Sequence, residues 1–469
     1  MRHETKILKV LAAGLAMAGL VLSGCSGGVN SGATINPNTA STTTQTLITD
    51  APADQVLSLA LTVDSISLTD ATGASTTVLS TPVPIEVSHL DAVQEPLLPP
   101  LNIPQDTYTS ATITVASPIV VYVDSTTGKP VKTSATLAAS STTVTFTSPI
   151  TVSATSAPIC FDLLVGQSVA ISGTTVTVTP TFNVTQIALA SAPTNGNNGK
   201  VSGVLGQVVS VSGTSLTIQG PGGQQLTLTT NSSTVLQGFT ALSTLTAGEL
   251  VDADVAQQSN GTLLALRIHL DPPQAADLLV GPVTAITGTP ATSFTQLVRQ
   301  PLGPGVTPSA TGTTYTVTVN SSTTFGLAPQ AGTLPTLPFT PVFTAATMIA
   351  GQNVAVGASA ISTTADTATA ATVTLAPQTV DGTVASVTTT GGFTVYTVTL
   401  PSQSALGTLT GATSVVVYVN SSTQMMNAAP IAVGSTQRFN GLLFNDAGTL
   451  RLLAAACNDN PPAPPPQHH

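Results

Sequence analysis

Chemistry in this chain starts with a thiol. Cys25 closes the run Leu22-Ser23-Gly24-Cys25, behind a basic tip carrying Arg2, Lys6 and Lys9 and an apolar stretch from Val10 to Leu22. That stretch is shorter than the about 20 residues a helix needs to cross a hydrocarbon core, so it reads as a signal to be removed. An apolar residue, two small residues and a cysteine form a lipobox: the peptidase pocket takes small side chains, and the thiol must be free to receive a diacylglyceryl group. The expected mature chain begins at a lipidated Cys25. Ser26, not Asp, follows it, which in a Gram-negative-type envelope sends the product to the outer membrane. Several acyl chains would hold it there firmly, where one would bind only reversibly.

Downstream, residues with catalytic or ligating chemistry are sparse. Glu86, His89 and Asp91 are close enough to suggest a metal site, but i, i+3, i+5 spacing along a strand would split them across two faces. His269 stands alone at a strand end, as surface and capping histidines do. Asp50 with Asp54, or Asp252 with Asp254, could offer oxygens to calcium, yet neither pair sits in a loop dense in Asp and Asn. Glu249 with Asp252 is the least poor pair of carboxylates for glycoside hydrolysis. No nucleophile elbow, phosphate loop or His-Glu-x-x-His run occurs. No cofactor is expected. Cys160 and Cys457 remain after lipidation takes Cys25; in an oxidising compartment they could close a disulfide or stay as two buried thiols.

The elements that must position these residues are strands. The chain has 469 residues, no Trp, and only 6% charged side chains, but it is dense in Val, Ile and Thr. Leu57, Leu59, Leu61 and Val63 alternate with polar neighbours, then Ile66 and Leu68 take over after Asp64-Ser65, as a bulge produces. Val169 and Ile171, then Val176 and Val178 across Gly173, read as a hairpin. No helical stripe follows the signal. Without the signal, seven basic side chains face nineteen acidic ones, a net of −12, which argues against nucleic acid as a partner.

From residue 200 onward the chain repeats itself. Gly206-Gln207-Val208-Val209-Ser210-Val211, Gly281-Pro282-Val283-Thr284-Ala285-Ile286 and Gly382-Thr383-Val384-Ala385-Ser386-Val387 each open a unit. Each unit then carries the tetrapeptide Asn-Ser-Ser-Thr, at Asn231–Thr234, Asn320–Thr323 and Asn420–Thr423. Asn and Ser at a strand end bond their own backbone in Asx-type turns, so the tetrapeptide is expected to be structural. Turns at Asn260-Gly261 and Asp446-Ala447-Gly448 suit tight hairpins. The middle unit is lengthened between Leu302 and Gly312 by what reads as a hairpin tip or loop. Units of about 75 to 100 residues with about five strands are large enough to close their own barrels, unlike the repeats of a solenoid. They are expected to string out as beads.

The three units resemble domain-of-unknown-function family 5666 of bacterial exported proteins. The likeness rests on the Gly-x-Val opening and on an ending that here reads Ala247-Gly248-Glu249-Leu250-Val251-Asp252-Ala253-Asp254, then Asn260-Gly261-Thr262-Leu263 through Ile268. It implies small OB-like barrels, with closure weakest in the middle copy. Residues from Thr46 to Leu189 resemble family 4382, a transthyretin-like sandwich of lipoproteins, through Thr49-Asp50-Ala51-Pro52 and Ile103-Pro104-Gln105-Asp106-Thr107-Tyr108. Asp106 stands where that family has Gly, and Asp tolerates positive φ better than most residues. Neither resemblance implies a reaction.

The expected architecture is all-β: signal peptide 1–24, lipidated Cys25 and tether 25–44, sandwich 45–190, linker 191–199, barrels 200–272, 276–377 and 378–457, and a Pro-rich tail 458–469. The tether, rich in Gly, Ser and Thr, would span about 25 Å. The expected function is that of a non-catalytic binding or structural module of the cell envelope. Its partners would be the membrane, through the lipid, and an unknown envelope protein or glycan. The alternative is a carbohydrate-active enzyme or a calcium-stabilised carbohydrate-binding protein.

Overall fold

Alternating Val, Ile, Leu and Thr fold into strands throughout the computed structural model, which describes residues 40–50, 55–90, 95–155, 157–187, 200–271, 277–328, 334–425 and 431–459. Leu22-Ser23-Gly24-Cys25, Asp54, Asp91, the expected linker 191–199 and the residues beyond 459 lie outside the described residues. Among the described residues, no helix is long and apolar enough to cross a membrane.

The spine of the N-terminal sandwich is a pair of long antiparallel strands, Val56–Asp70 and Thr107–Asp124. The register slips between Val63 and Ser65, the bulge that the change of phase predicts. Ser75–Leu79 and Val83–Glu86 pair with the first strand, Ser141–Thr151 and Lys129–Ser134 with the second. A smaller mixed sheet faces them, in which Ile159–Leu163 runs parallel to Thr46–Asp50 and antiparallel to Phe182–Gln186. Leu59, Leu61, Ile66, Ile113 and Val115 meet Phe161, Leu163 and Val184 in one core between the layers. The hairpin across Gly173 forms as expected, Val169 opposite Val178.

Three local readings need correction. The tether stops short of residue 44, because Ser41–Thr44 is a strand paired with Leu101–Pro104. The tail starts later than 458, because the last strand runs Thr449–Asp459. Asp106 does not adopt positive φ; its carboxylate instead accepts the Thr107 N–H at 2.7 Å.

Each repeat closes a five-stranded barrel. In the first, the strands Lys200–Ser212, Ser215–Gln219, Gln225–Thr229, Leu250–Gln257 and Leu263–Leu270 are joined around the barrel in the order first, second, third, fifth, fourth. The third and fifth run parallel and complete the closure. The second barrel repeats this order with Asp277–Thr287, Ser293–Leu297, Thr314–Thr318, Asn353–Ser362 and Thr367–Leu375. The third uses Gln378–Thr390, Phe393–Thr399, Ser414–Val419, Thr436–Asp446 and Thr449–Asp459. It is the Greek-key order of an OB-like barrel. The middle copy closes like the others; its inserted stretch is the expected loop, joining the antiparallel strands Ser293–Leu297 and Thr314–Thr318, and it packs back on its own barrel through Val306 and Ala310.

The repeated opening has a steric cause. A small barrel must bend its first strand sharply, and bulges supply that bend. The extra residue is Val209, Thr284 or Ala385, three positions after the opening glycine in every copy. At that glycine the facing strand comes so close that a Cβ would sit 2.6 Å from the Ile218 side chain in the first barrel and 2.3 Å from the Thr399 carbonyl in the third. Only Gly fits there.

The tetrapeptide is a staple. In each copy the Asn side chain accepts the N–H two residues on, at 2.8 or 2.9 Å, and the Thr hydroxyl accepts the Asn N–H. The same hydroxyl donates to a carbonyl of the last barrel strand, Ala265, Ala370 or Ala454, at 2.7 to 2.8 Å. One Thr thus ties the crossover to the strand that closes the barrel.

The barrels are not beads. The described residues form one compact unit because apolar faces are shared between domains. Leu47, Cys160 and Ile187 of the sandwich belong to the core of the first barrel. Leu250 packs with Leu278 and Leu302 of the second, and Leu442 and Phe444 of the third pack into the second. Leu57, Val121 and Val123 bring the sandwich onto Leu297 and Ala405. Each such side chain, once buried, contributes about 1.5 to 3 kcal/mol, too much to leave wet on separate domains.

Candidate functional site

Strand Val83–Glu86 ends at Glu86, and the Leu90 N–H donates back to the Val87 carbonyl at 3.0 Å. The turn so formed brings His89 over Glu86, correcting the expectation that strand spacing would part them. His89 Nδ1 lies 2.7 Å from Glu86 Oε2, and Nε2 lies 3.3 Å from Glu95 Oε2. Glu95 is held to the opposite layer by paired backbone bonds with Ile48. The other Glu86 oxygen accepts the Ser58 hydroxyl at 2.9 Å and the Ser88 N–H at 3.1 Å.

Burial alone would neutralise His89, but the Glu95 and Glu86 carboxylates override it and hold its pKa at about 10. Burial would likewise raise Glu86; the bond and charge of His89, with Arg299 and Ser58, pull it below the usual range instead. The group is therefore an imidazolium between two carboxylates. Among the described residues no cluster of His, Cys, Asp and Glu is arranged to hold a metal.

Arg299 comes from the second barrel, more than 200 residues away, and its Nε donates to the Leu57 carbonyl of the sandwich at 2.6 Å. Beside it lies a cavity of about 260 Å³. The sandwich lines it with Ala60, Thr62 and Ile119, together with Glu86 and His89; the first barrel contributes Pro221, Gly222 and Gln224, and the second contributes Gln300, Pro308, Ser309 and Thr311. The wall is mostly apolar. Ser117, at its edge, takes a left-handed φ of 51°, a strained backbone of the kind found at functional sites.

The other candidates are drawn into structural roles. Asp252 and Asp254 both bind the Arg267 guanidinium, Asp254 through Nε at 2.9 Å, so a cation of the protein occupies the place proposed for calcium. Glu249 accepts the Thr246 N–H in a turn at 2.6 Å. His269 stands 3.8 Å from Asp271, whose pKa burial and the Asp252 charge push up to about 7. No disulfide joins Cys160 and Cys457: the first thiol is buried in the core shared with the first barrel, the second in the core of the third. Burial pushes the Cys160 thiol up, which keeps it protonated and inert.

Sequence reasoning missed Glu95 and Arg299. A signal existed in scarcity. Only four arginines follow Arg2, and each is set against a carboxylate: Arg267 on Asp252 and Asp254, Arg299 near Glu86, Arg438 on Asp381, and Arg451 on Asp446. Residues 205–269, nearly all of the first barrel, match a family model described as Domain of unknown function (DUF5666). No curated protein matches the chain.

Proposed function

We propose that this protein is a non-catalytic binding module of the cell envelope, lipid-anchored at Cys25 to the outer membrane, and that the cavity between the sandwich and the first two barrels is its ligand site. The observation that carries the binding role is the cavity itself, preformed and walled by three domains. A non-catalytic role is supported by His89, which is no base near neutral pH because two carboxylates keep it protonated. The second and third barrels are further copies of the matched domain: they share its strand order, opening glycine, bulge and staple. The sandwich is the counterpart of family 4382.

Labelled palmitate and fractionation test the anchor. Label should enter the wild-type protein and co-sediment with outer membrane; label entering Cys25→Ala equally would overturn it. One observation favours a carbohydrate-active enzyme as second reading: Asp271, protonated up to about pH 7 by burial and by the neighbouring Asp252, stands close to that second carboxyl group, as an acid and its partner would. Glycan turnover abolished by Asp252→Asn and Asp271→Asn would establish that reading in place of the first.

A further inference from the structure

Given the binding role proposed above, we infer that the cavity takes a small, uncharged, apolar molecule, a single hydrocarbon ring or a short aliphatic chain. Size comes first. An apolar protein cavity of roughly 150 Å³ is enough to take benzene, and drug-sized ligands occupy roughly 300 to 1,000 Å³. At about 260 Å³ this cavity lies between the two, so one substituted ring fits and an oligosaccharide does not.

The lining comes second. Leu59 and Leu61 turn into the sandwich core, which leaves Ala60 and Thr62 on the outer face of their strand. Register sets Ala60 between Glu86 and Ile119, and Thr62 beside Pro84, and all of them line the cavity. Pro221 of the first barrel and Pro308 of the second line it from the barrel side. Each has a fixed φ, so a ligand meets a surface that loses little freedom on binding. Gly222, next to Pro221, comes so near the sandwich that a Cβ there would sit 2.7 Å from the Pro84 carbonyl, which fixes the turn of the first barrel against that strand.

Charge comes third. Among the described residues, the charged ones lining the cavity are Glu86, His89 and Arg299, and the protein itself engages each. The Glu86 oxygens accept the Ser58 hydroxyl and the Ser88 and His89 N–H groups, and the His89 ring is held between Glu86 and Glu95, which does not line the cavity. Arg299 donates to the Leu57 carbonyl, and its charge acts on Glu86. A charged ligand would shed its water only to compete for ions that already have partners, whereas an apolar one leaves those pairs as they are. Ser117 and Ser309 are exposed, so water meets their hydroxyls and a ligand need not.

Calorimetric titration of the full chain, prepared as unlipidated Cys25→Ala so that no detergent competes, tests this with toluene, benzoate and benzylammonium, one ring in three charge states. Toluene should bind, and both ions about a hundredfold more weakly, the fold-change expected for an unpaired charge taken out of water. In methyl-labelled protein, toluene should shift the Ala60 resonance. Ala60→Phe and Thr62→Phe, which fill the cavity from the sandwich, should each abolish toluene binding without lowering the unfolding temperature. Either ion binding as tightly as toluene, and lost in the filling variants, would overturn the ligand class while leaving the cavity a binding site. Toluene binding unchanged in both filling variants, an unmoved Ala60 resonance, or no probe binding at all would overturn the cavity's binding role itself.

Discussion

Thr423→Val isolates the staple that closes the third barrel. Valine has threonine's shape, so the substitution leaves no cavity and removes only hydroxyl chemistry. Thr423 is 7% exposed; its hydroxyl accepts the Asn420 N–H at 3.1 Å and donates to the Ala454 carbonyl at 2.8 Å. Both bonds vanish in the variant. A buried backbone group left unpaired costs about 1 to 3 kcal/mol, and Asn420, being half-buried, recovers part of its share from water. The expected loss is therefore about 2 to 3 kcal/mol. Thr423→Ser keeps both bonds and removes one buried methyl, worth about 0.8 kcal/mol. Thr234 and Thr323 make the same bonds where they are half-exposed, so their valine variants should lose about 1 kcal/mol each. Urea unfolding followed by circular dichroism gives the differences, and amide exchange at residue 420 localises the opening to the third barrel. A Thr423→Val variant within about 0.5 kcal/mol of wild type, or a serine variant as damaged as the valine one, would refute the staple.

Gly382→Ala should cost more than Gly434→Ala in the same assay, because its Cβ would sit 2.3 Å from the Thr399 carbonyl while Gly434, at φ +88°, has open space and pays only backbone strain of about 1 to 2 kcal/mol. Thermal stability should fall as pH rises. The folded state keeps Asp162 protonated up to about 6, Asp271 up to about 7 and His89 up to about 10, so between about 4 and 10 it binds more protons than the unfolded chain; a melting temperature that climbs across that window would contradict the pairing. Glu86→Gln should destabilise the sandwich by about 3 kcal/mol, since it strips one counter-ion from a buried imidazolium, and the His89 ring should then titrate at lower pH by NMR. Peptide mapping without reductant should recover Cys160 and Cys457 in separate, unlinked peptides.

Local physics was legible in the sequence, and long-range packing was not. Period-two alternation specifies strands because side chains leave a strand on alternate faces, so the bulge at Val63–Ser65 and the hairpin across Gly173 could be placed residue by residue. Asn-Ser-Ser-Thr announced a turn because its bonds reach only two or three residues along the chain. Its second partner, a carbonyl 31 to 47 residues away, left no trace. Glu86 and His89 were noticed and then parted on strand spacing, since nothing nearby marks that the strand stops at Glu86. Glu95 and Arg299 join that group only because two layers and a second barrel fold onto it.

The repeat, the opening glycines and the all-β class follow from which residues stand where along the chain, and the run Leu22-Ser23-Gly24-Cys25 motivates the proposed anchor. Tertiary structure settled that the barrels pack as one unit, that Arg267 takes the place expected for calcium, and that a cavity opens between three domains. Those outcomes depend on apolar faces such as those of Leu47, Leu250 and Phe444, which a strand pattern marks as buried without saying against what. Burial has a period that can be read along the chain; the partner across an interface has none.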